Sequence, residues 1–475
     1  MNSVAVIGGG ITGLTAAFRL RQAGWAVTLF EAGPRVGGVI QSVRRNGFLA
    51  ECGPNTLLET SPKITALVHD LGLDGRRMES APAAAKRFLV RGGRVLSLPG
   101  GLPAFLATPL FSPFAKLRLF AEPFIRRSPP EVEETVAEFV VRRLGREFLD
   151  YAINPLVGGV YAGDPTRLSV RQAFPKLHAL EQRYGSLIKG QILGARERRQ
   201  RAEVSKQNAP KLSFDEGLQV LTDTLGAKLG DSVRLRSPVS SLIKTPLGWY
   251  VNVGEIGQPL TTPFDAVLFA GTAHQLARLR IVAPEAPDLD VLQTIYYPPV
   301  ASVVLGFRRE DVAHPLDGFG MLIPQVEGCN TLGAIFSSSL FPNRAPAGQV
   351  LVTSYLGGAR APKLAGLAPA ELTEAAMADL RRLLGVRGEP TFVHHFVNSR
   401  AIPQYEVGYG AFKDRMAAAE TACPGLFLAG HYRDGISLGD SLVSGHDTAV
   451  RIGEFLARQP AAAALPATPQ PLSHT

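Results

Sequence analysis

Four glycines near the start of the chain lie between an apolar run and a helical pattern. The stretch AVIGGGITGLTAAFRL covers residues 5–20, and within it Gly8, Gly10 and Gly13 have the spacing GxGxxG. In such a motif the first glycine permits a tight turn, the second lets the backbone approach a pyrophosphate, and the third lets the helix pack on the strand. The N–H groups that begin the helix then face the phosphates. These residues predict a dinucleotide site.

An acidic residue follows at the spacing that such a site needs. The run AVTLFE has the apolar pattern of a second strand and ends at Glu31, 18 residues after Gly13. A carboxylate there can accept hydrogen bonds from the ribose. Strand, glycine turn, helix, strand and acid in this order predict dinucleotide binding, but they do not distinguish NAD from FAD.

Further segments resemble the extended flavin signature of the amine oxidase-like flavoproteins. PRVGG covers residues 34–38 and ECGPNT covers residues 51–56. In those proteins both segments lie along the pyrophosphate and the isoalloxazine ring, a later valine meets the adenine through its backbone, and a C-terminal segment, here PGLFLAGHYRDGISLGDSLV, lies against the flavin. The resemblance implies FAD as cofactor, bound by Gly8, Gly9, Gly10, Ile11, Thr12, Gly13, Glu31, Ala32, Arg35, Gly37, Gly38, Val39, Gly53, Pro54, Asn55, Thr56, Val239, His431, Ile436, Ser437 and Leu438. For His431 the alternative is a loop histidine with no special role.

The chain is long enough for more than one domain, because its 475 residues exceed what one hydrophobic core usually organises. Periodic stretches between residues 102 and 191 predict amphipathic helices, and runs such as ASVVLGF and QVLVTSYLGG predict a second sheet. With the flavin resemblance, these patterns predict an α/β fold that has a discontinuous Rossmann-like FAD-binding domain, a mixed α+β substrate domain and a helical insertion. The predicted parts are residues 1–75, 212–286 and 421–456 for the FAD-binding domain, 76–101 and 287–420 for the substrate domain, 102–191 for the helical, membrane-contacting domain, 192–211 for a connector and 457–475 for a disordered tail.

The net charge of +9 is concentrated in one segment. From Arg76 to Lys211 there are 24 Lys and Arg against 12 Asp and Glu, a net of +12. This excess indicates an anionic partner, either a membrane surface or a carboxylated substrate, and the alternative is a solvated helical surface. No basic motif is interleaved with aromatic residues, so nucleic acid is not expected. The stretch LPAFLATPLFSPFAKLRLFAEPFIRR suits an interfacial surface or a substrate channel, and we predict peripheral membrane contact.

The cysteines and the hydropathy pattern bear on location. Cys52, Cys329 and Cys423 show no CxxC spacing, which argues against a disulfide framework or a zinc site and favours a reducing compartment. No charged segment precedes the strand-like run at residues 4–7, so a signal peptide is not expected, and no run of 18 apolar residues predicts a spanning helix. We expect a cytoplasmic protein that is peripheral on the cytoplasmic membrane.

One long motif in the helical region resembles the signature of the protoporphyrinogen oxidase family. It is NPLVGGVYAGDPTRLS at residues 154–169, and the resemblance extends to KRFLVRGG, KLRLFAEPF, LGAIFSSSLFPNRAP and AIPQY. Membership implies oxidation of protoporphyrinogen IX to protoporphyrin IX in haem or chlorophyll synthesis, with FAD accepting hydride at N5 and O2 taking the electrons to give H2O2. Because no nucleophile, metal cluster or carboxylate pair is evident in the sequence, positioning is expected to carry the rate.

The same resemblance implies a set of substrate contacts. They are an arginine that binds a propionate, an aliphatic pair that sandwiches one pyrrole, an aromatic residue that stacks on another, and a backbone contact. In this chain the matching residues are Arg87, Leu322 with Ile335, Tyr355, and Gly159. For the aliphatic pair and the aromatic residue, the alternative is ordinary core packing.

Some positions depart from the family's pattern. Tyr409 stands where many bacterial relatives have a histidine, and Asn398 replaces a common tryptophan, and both departures bear on substrate choice. His394 and His395 adjoin this region. Neighbouring residues of a strand point to opposite faces, so these two histidines are not expected to share a metal.

Other functions share parts of these patterns. A coproporphyrinogen III oxidase of the same family oxidises an earlier intermediate with four propionates, and the Arg87 anchor favours protoporphyrinogen over it. The motif GVYAGDP argues against an amine oxidase or a carotenoid desaturase. A prenyl-protein chaperone of the GDP-dissociation-inhibitor type shares the architecture but lacks the complete FAD signature. We expect a porphyrinogen and O2 as substrates, a second copy in a homodimer, and a ferrochelatase that receives the product.

Overall fold

The computed structural model describes residues 2–194, 209–254, 262–285 and 288–458. Most of the connector predicted at residues 192–211 and of the disordered tail predicted at 457–475 lies outside these residues. Residues 457 and 458 end the last helix. The predicted domain boundaries stay predictions.

Within the described residues the strands form five sheets. In chain order they are β1 Ser3–Ile7, β2 Ala26–Phe30, β3 Ser42–Arg45, β4 Phe48–Glu51, β5 Leu57–Leu58, β6 Arg77–Glu79, β7 Phe88–Arg91, β8 Arg94–Ser97, β9 Lys211–Phe214, β10 Val233–Arg234, β11 Val239–Thr245, β12 Gly248–Val253, β13 Ala266–Phe269, β14 Arg280–Val282, β15 Val300–Arg308, β16 Gly320–Leu322, β17 Thr331–Ile335, β18 Gln349–Gly357, β19 Phe392–Asn398 and β20 Leu426–Leu428.

The helices are most frequent between residues 102 and 193, where the sequence predicts them. The α-helices are Ile11–Gln22, Pro62–Asp70, Leu102–Ala107, Pro113–Phe120, Val136–Arg143, Arg146–Phe148, Asn154–Leu156, Val170–Ala173, Pro175–Tyr184, Leu187–Leu193, Gln219–Leu229, Ala273–Arg278, Ser337–Leu340, Pro369–Leu384, Gly410–Ala422 and Leu438–Arg458. Two π-helical turns, Leu149–Ile153 and Val157–Tyr161, flank the short helix Asn154–Leu156. None of the helices in the described ranges is both long and apolar enough to cross a membrane.

A five-stranded parallel sheet carries the cofactor motif. Its strand order is β10-β2-β1-β13-β20, and β1 pairs with β2 on one side and with β13 on the other. Residues Val4, Ala5 and Val6 of β1 are fully buried, because a central parallel strand is covered on both faces. The glycine motif therefore follows the central strand of the sheet, and the helix Ile11–Gln22 begins within that motif.

A seven-stranded sheet of order β19-β15-β18-β17-β16-β7-β8 forms the second layer. One face of it packs against the helix Pro369–Leu384, whose Leu372, Ala376 and Leu380 are buried among residues of the sheet. On the opposite face, Val304 and Leu351 pack against Phe48 and Ala50 of β4. The second face is therefore directed toward the segments that follow the cofactor motif. The α/β class with a mixed second sheet and a helical insertion is confirmed.

A buried ionic cluster holds the helical region together. The side chains of Arg143, Glu122 and Glu181 are all fully buried, and Arg143 pairs with both carboxylates. The Ser186 hydroxyl donates to Glu122 at 2.5 Å, and the Leu187 N–H donates to it at 2.9 Å. Buried charges are tolerated only when paired and hydrogen-bonded, so this cluster fixes how the helices between residues 122 and 187 pack.

Candidate cofactor and substrate site

The glycine loop, residues 8–13, leaves its backbone open at one position. Gly8 has φ = +108°, which favours glycine, and a methyl group at Gly13 would overlap the carbonyl oxygen of Gly8. A methyl group at Gly10, in contrast, would meet no atom within 4 Å. The backbone at Gly10 and the first N–H groups of the helix Ile11–Gln22 are thus accessible to a ligand. This cradle fits a pyrophosphate.

Glu31 lies at the carboxyl end of β2, beside the glycine loop. Its carboxylate accepts hydrogen bonds from the N–H groups of Gly9 at 2.7 Å and Gly33 at 2.6 Å. A carboxylate offers about four lone-pair positions, so capacity remains for ribose hydroxyls. The N–H of Ser237 donates to the Glu31 carbonyl at 2.8 Å and brings the start of β11, with Val239, to the same end of the sheet.

The segment from Ala32 to Val39 closes over the glycine loop. The Gly37 N–H donates to the Gly9 carbonyl at 2.7 Å, and the Gly38 backbone lies close to that of Gly10. The Arg35 guanidinium donates to the carbonyls of its own loop, including that of Gly38 at 2.7 Å. Arg35 therefore shapes the loop through its side chain.

The turn of residues 53–56 lies against this segment. A methyl group at Gly53 would overlap the carbonyl oxygen of Val39, so the two backbones are in direct contact. The Cys52 N–H donates to the Gln41 carbonyl at 2.8 Å and fixes the start of the turn. The turn, with Pro54, Asn55 and Thr56, is therefore held against the same loop as the glycine pair.

The C-terminal helix Leu438–Arg458 brings the remaining predicted cofactor residues to the glycine loop. The Thr12 hydroxyl donates to the Ser441 carbonyl at 3.0 Å, and a methyl group at Gly445 would overlap the Thr12 carbonyl. Ser437 caps this helix, because its hydroxyl accepts the Asp440 N–H at 3.1 Å. Ile436, Ser437 and Leu438 thus begin a helix that packs backbone to backbone on the first one.

His431 has a buried ring nitrogen with no protein partner. Its Nε2 atom makes no hydrogen bond to any described residue, and burial lowers the pKa of the imidazole to about 4. The ring meets the edge of Tyr297 at 5.7 Å, and the Tyr405 hydroxyl donates to the His431 carbonyl at 2.5 Å. A buried polar atom without a partner is costly. This neutral imidazole therefore fits a ligand with its own hydrogen-bonding atoms, such as a flavin.

Three of the predicted substrate residues share one face of the seven-stranded sheet. Leu322 of β16 pairs with Gly333 of β17, and Gly333 pairs with Tyr355 of β18. Ile335 lies two residues after Gly333 and points the same way, because side chains alternate along a strand. We call Leu322, Ile335 and Tyr355 the substrate face. Their neighbours Met321 and Ala334 point to the opposite face and pack in the core beneath the helix Pro369–Leu384.

Gly159 and Arg87 lie at the edges of the substrate face. A methyl group at Gly159 would overlap the Leu322 side chain, so the second π-helical turn touches this face. Arg87 precedes β7, and its carbonyl accepts the Leu98 N–H at 2.8 Å. It lies two residues before Leu89, which pairs with Leu322, and therefore points to the same side. Burial lowers the pKa of its guanidinium.

Sequence reasoning missed two residues of this region. Burial, and then the charge of Arg87, lower the pKa of the Lys211 ammonium group on β9. Tyr405 belongs to the motif AIPQY but carried no expected role, and it supports the His431 backbone. Lys211 lies in no motif, so no sequence signal points to it. In the described ranges, no group of three or more His, Cys, Asp or Glu is placed to hold a metal ion.

Comparisons with known proteins identify the family. The profile of the family described as flavin containing amine oxidoreductase matches residues 11–453. The chain belongs to this family. It is 35% identical to the protoporphyrinogen oxidase 2, chloroplastic/mitochondrial, of Arabidopsis thaliana, over 95% of this chain and 94% of that one. It is 29% identical to the coproporphyrinogen III oxidase of Bacillus subtilis (strain 168), over 93% of this chain and 96% of that one.

Solved structures support the same fold. Reduced UDP-galactopyranose mutase superposes with a TM-score of 0.73 over 97% of both chains at 16% identity. The resemblance to the protoporphyrinogen oxidase family, the FAD cofactor and the oxidoreductase class are confirmed. Which residues hold the cofactor and the substrate stays a prediction.

Proposed function

We propose that the protein oxidises protoporphyrinogen IX to protoporphyrin IX, with O2 as acceptor and H2O2 as product, in porphyrin biosynthesis. The observation that carries the substrate assignment is the substrate face, an apolar surface with a guanidinium at its edge. A porphyrinogen is an apolar macrocycle with ionised propionates, so its ring and its charges match these two features. Protoporphyrinogen oxidases at 35% identity and nearly full coverage support the assignment.

The proposed residues bind and orient the substrate. Leu322 and Ile335 contact one pyrrole, Tyr355 stacks on another, and the Arg87 guanidinium donates to a propionate. A planar guanidinium can hold a carboxylate with two parallel hydrogen bonds, which fixes the ring's orientation as well as its position. The Gly159 backbone closes the site beside Leu322. Correct placement of a bridge carbon is the main task of these residues.

The residues proposed to hold FAD are those predicted from the sequence, and FAD supplies hydride acceptance when bound. The glycine loop and the start of the helix Ile11–Gln22 receive the pyrophosphate, and Glu31 with Val239 receives the adenosine end. The turn of residues 53–56, His431 and the start of the C-terminal helix receive the flavin end. Because His431 is neutral at physiological pH, it offers a hydrogen bond without adding a charge.

Coproporphyrinogen III is the alternative substrate, and the relatives at 29% identity support it. The two are separated by measuring turnover of both porphyrinogens on one preparation, with porphyrin fluorescence as the signal. We expect the larger kcat/KM for protoporphyrinogen IX. A larger value for coproporphyrinogen III would replace the proposed substrate with the alternative.

We also propose that the protein is cytoplasmic and contacts the membrane surface through the helical region. Phe114 and Phe124 are 79% and 87% exposed, and Leu117 is exposed beside them, close in sequence to Lys116 and Arg126. Exposed apolar groups among basic ones suit the interface of an anionic bilayer. The protein is expected to sediment with anionic liposomes and to be released by salt, and absence of binding at any ionic strength would contradict this. The homodimer and the ferrochelatase partner stay predictions.

A further inference from the structure

One hydrogen bond joins the proposed cofactor turn to the substrate face. The Asn55 side-chain amide donates to the Tyr355 hydroxyl, with 2.5 Å between Nδ2 and the phenol oxygen. Asn55 is buried in the turn of residues 53–56, and Tyr355 lies near the end of β18, 300 positions later in the chain. The bond therefore connects two layers of the fold that the chain itself does not connect locally.

The Tyr355 ring has small neighbours on both adjoining strands. Its cross-strand partners are Gly333 of β17 and Ser302 of β15. Neither supplies a bulky side chain that would hold the ring plane from the side. The hydroxyl bond to Asn55 thus provides an orientation that the sheet does not.

Asn55 is held firmly enough to act as an anchor. Its turn is in backbone contact with Val39 through Gly53, and the N–H of Cys52 is bonded to the Gln41 carbonyl. Burial, and then the charge of Glu51, raise the pKa of the Tyr355 phenol. The hydroxyl therefore stays protonated and uncharged at physiological pH.

We propose that the Asn55–Tyr355 hydrogen bond is a positioning link that sets the plane of the Tyr355 ring and aligns the substrate face with the flavin-binding turn. Asn55 and the Tyr355 hydroxyl are then positioning groups, in addition to the stacking of the aromatic ring. The inference rests on the proposed function, because it assigns a task to the same site.

Alignment and stacking have different kinetic consequences. Removal of the hydroxyl leaves the ring and its contact area in place, so binding changes little while the fraction of bound substrate in a reactive geometry falls. Removal of the ring loses contact area and weakens binding. The hydroxyl should therefore appear mainly in kcat, and the ring mainly in KM.

The test compares Tyr355→Phe, Tyr355→Leu and Ser186→Ala in the holoenzyme. Ser186→Ala is the matched control, because it removes another buried hydroxyl bond, from Ser186 to Glu122 at 2.5 Å, in the helical region outside the proposed site. We expect Tyr355→Phe to lower kcat by about three- to tenfold, with KM within about twofold of wild type, as for the loss of one hydrogen bond. Tyr355→Leu should also raise KM. Ser186→Ala should keep wild-type kinetics.

A second readout does not depend on porphyrinogen turnover. Loss of the link frees the Asn55 amide in Tyr355→Phe, and Asn55→Ala removes that amide, so the visible absorption spectrum of the bound flavin should change in both variants and not in Ser186→Ala. The effects of Tyr355→Phe and Asn55→Ala on kcat should not add in the double variant, because both break the same bond.

An unchanged flavin spectrum together with an unchanged kcat in Tyr355→Phe would overturn the link, and so would a rise in KM alone. If the wild-type enzyme turned over neither porphyrinogen, the proposed function would fail. The spectral comparison between Tyr355→Phe and Ser186→Ala would still decide whether the link exists.

Discussion

The cofactor end and the substrate face of this protein use the chain differently. At the cofactor end, the close contacts are between backbone segments: a methyl group at Gly13, Gly53 or Gly445 would overlap a carbonyl oxygen, and Gly8 has a positive φ. At the substrate face and its edge, the proposed contacts are made by the side chains of Leu322, Ile335, Tyr355 and Arg87. Close backbone contacts leave no room for added atoms at most positions, Gly10 excepted, whereas a site made of side chains responds in steps to substitution. We propose that the first site decides whether a dinucleotide binds and that the second decides which substrate is oxidised.

Gly10→Asp should have the largest effect, because it tests the backbone site directly. The structure has space for a side chain at Gly10, so the fold should survive, but a carboxylate there would repel the pyrophosphate. We expect at least about a tenfold loss of bound flavin, measured by visible absorbance of the purified protein. Gly75→Asp is the control, since Gly75 is also open and lies far along the chain. A fully yellow Gly10→Asp protein would show that the glycine loop is not the pyrophosphate site.

Arg87→Ala tests the charged edge of the substrate face. Loss of a hydrogen bond to an ionised propionate should cost about 1.5–3 kcal/mol in kcat/KM, with FAD content unchanged. Arg87→Lys should recover only part of this loss, because the charge returns without the planar fork. Steady-state kinetics with a porphyrinogen measure kcat/KM for both Arg87 variants. The control is Arg94→Ala, on the neighbouring strand β8. Near-normal kinetics for both Arg87 variants would remove Arg87 from the site.

His431, in the C-terminal segment of the cofactor end, should make stability depend on pH. Burial lowers the pKa of the folded-state imidazole to about 4, below its value in the unfolded chain. As pH falls through the ordinary pKa of histidine, the unfolded chain binds a proton at His431 that the folded chain does not bind. The free energy of unfolding therefore decreases. Between pH 7.5 and pH 5 this should cost about 2 kcal/mol of unfolding free energy.

Urea denaturation of the wild type and of His431→Asn at the two pH values measures this contribution. The loss of stability on acidification should be smaller in the variant by about that amount. Equal losses in the two proteins would mean that His431 is not held in its neutral form.

Gly159→Ala should have the smallest effect of these variants, because the added methyl group would overlap a side chain and not a backbone atom. The methyl group would overlap the end of the Leu322 side chain, which can shift. We expect a loss of about 1 kcal/mol in kcat/KM, mainly through KM. At Gly158 a methyl group would lie 3.8 Å from the nearest atom, so Gly158→Ala is the control and should behave as wild type. Equal kinetics in both would place Gly159 outside the substrate site.

The same contrast explains what the sequence could predict. The glycine loop, Glu31 and the glycine pair are readable because one local turn contains them and its geometry requires glycine. The two adjacent histidines are also predictable, because strand alternation alone sends them apart: His394 lies 3.4 Å from Cys52 and His395 lies 2.8 Å from Thr373.

Contacts made by distant pairing could not be predicted. Lys211 is placed by the pairing of β9 with β5 and β6, where the charge of Arg87 affects its pKa, and no motif marks it. The bond between Asn55 and Tyr355 depends on how a cofactor turn meets a strand 300 positions later. The family resemblance suggested an aromatic ring at Tyr355, but only the packing of the two layers gives its hydroxyl a partner.

The central claim is that this FAD enzyme oxidises a porphyrinogen with O2, and the most direct test is to measure porphyrin and H2O2 together. Six electrons leave the macrocycle and each flavin cycle carries two, so aerobic turnover of protoporphyrinogen IX should yield three molecules of H2O2 for each porphyrin formed. Turnover should stop under anaerobic conditions without another acceptor. Porphyrin formation at the uncatalysed rate, or at an unchanged rate without O2, would contradict the account.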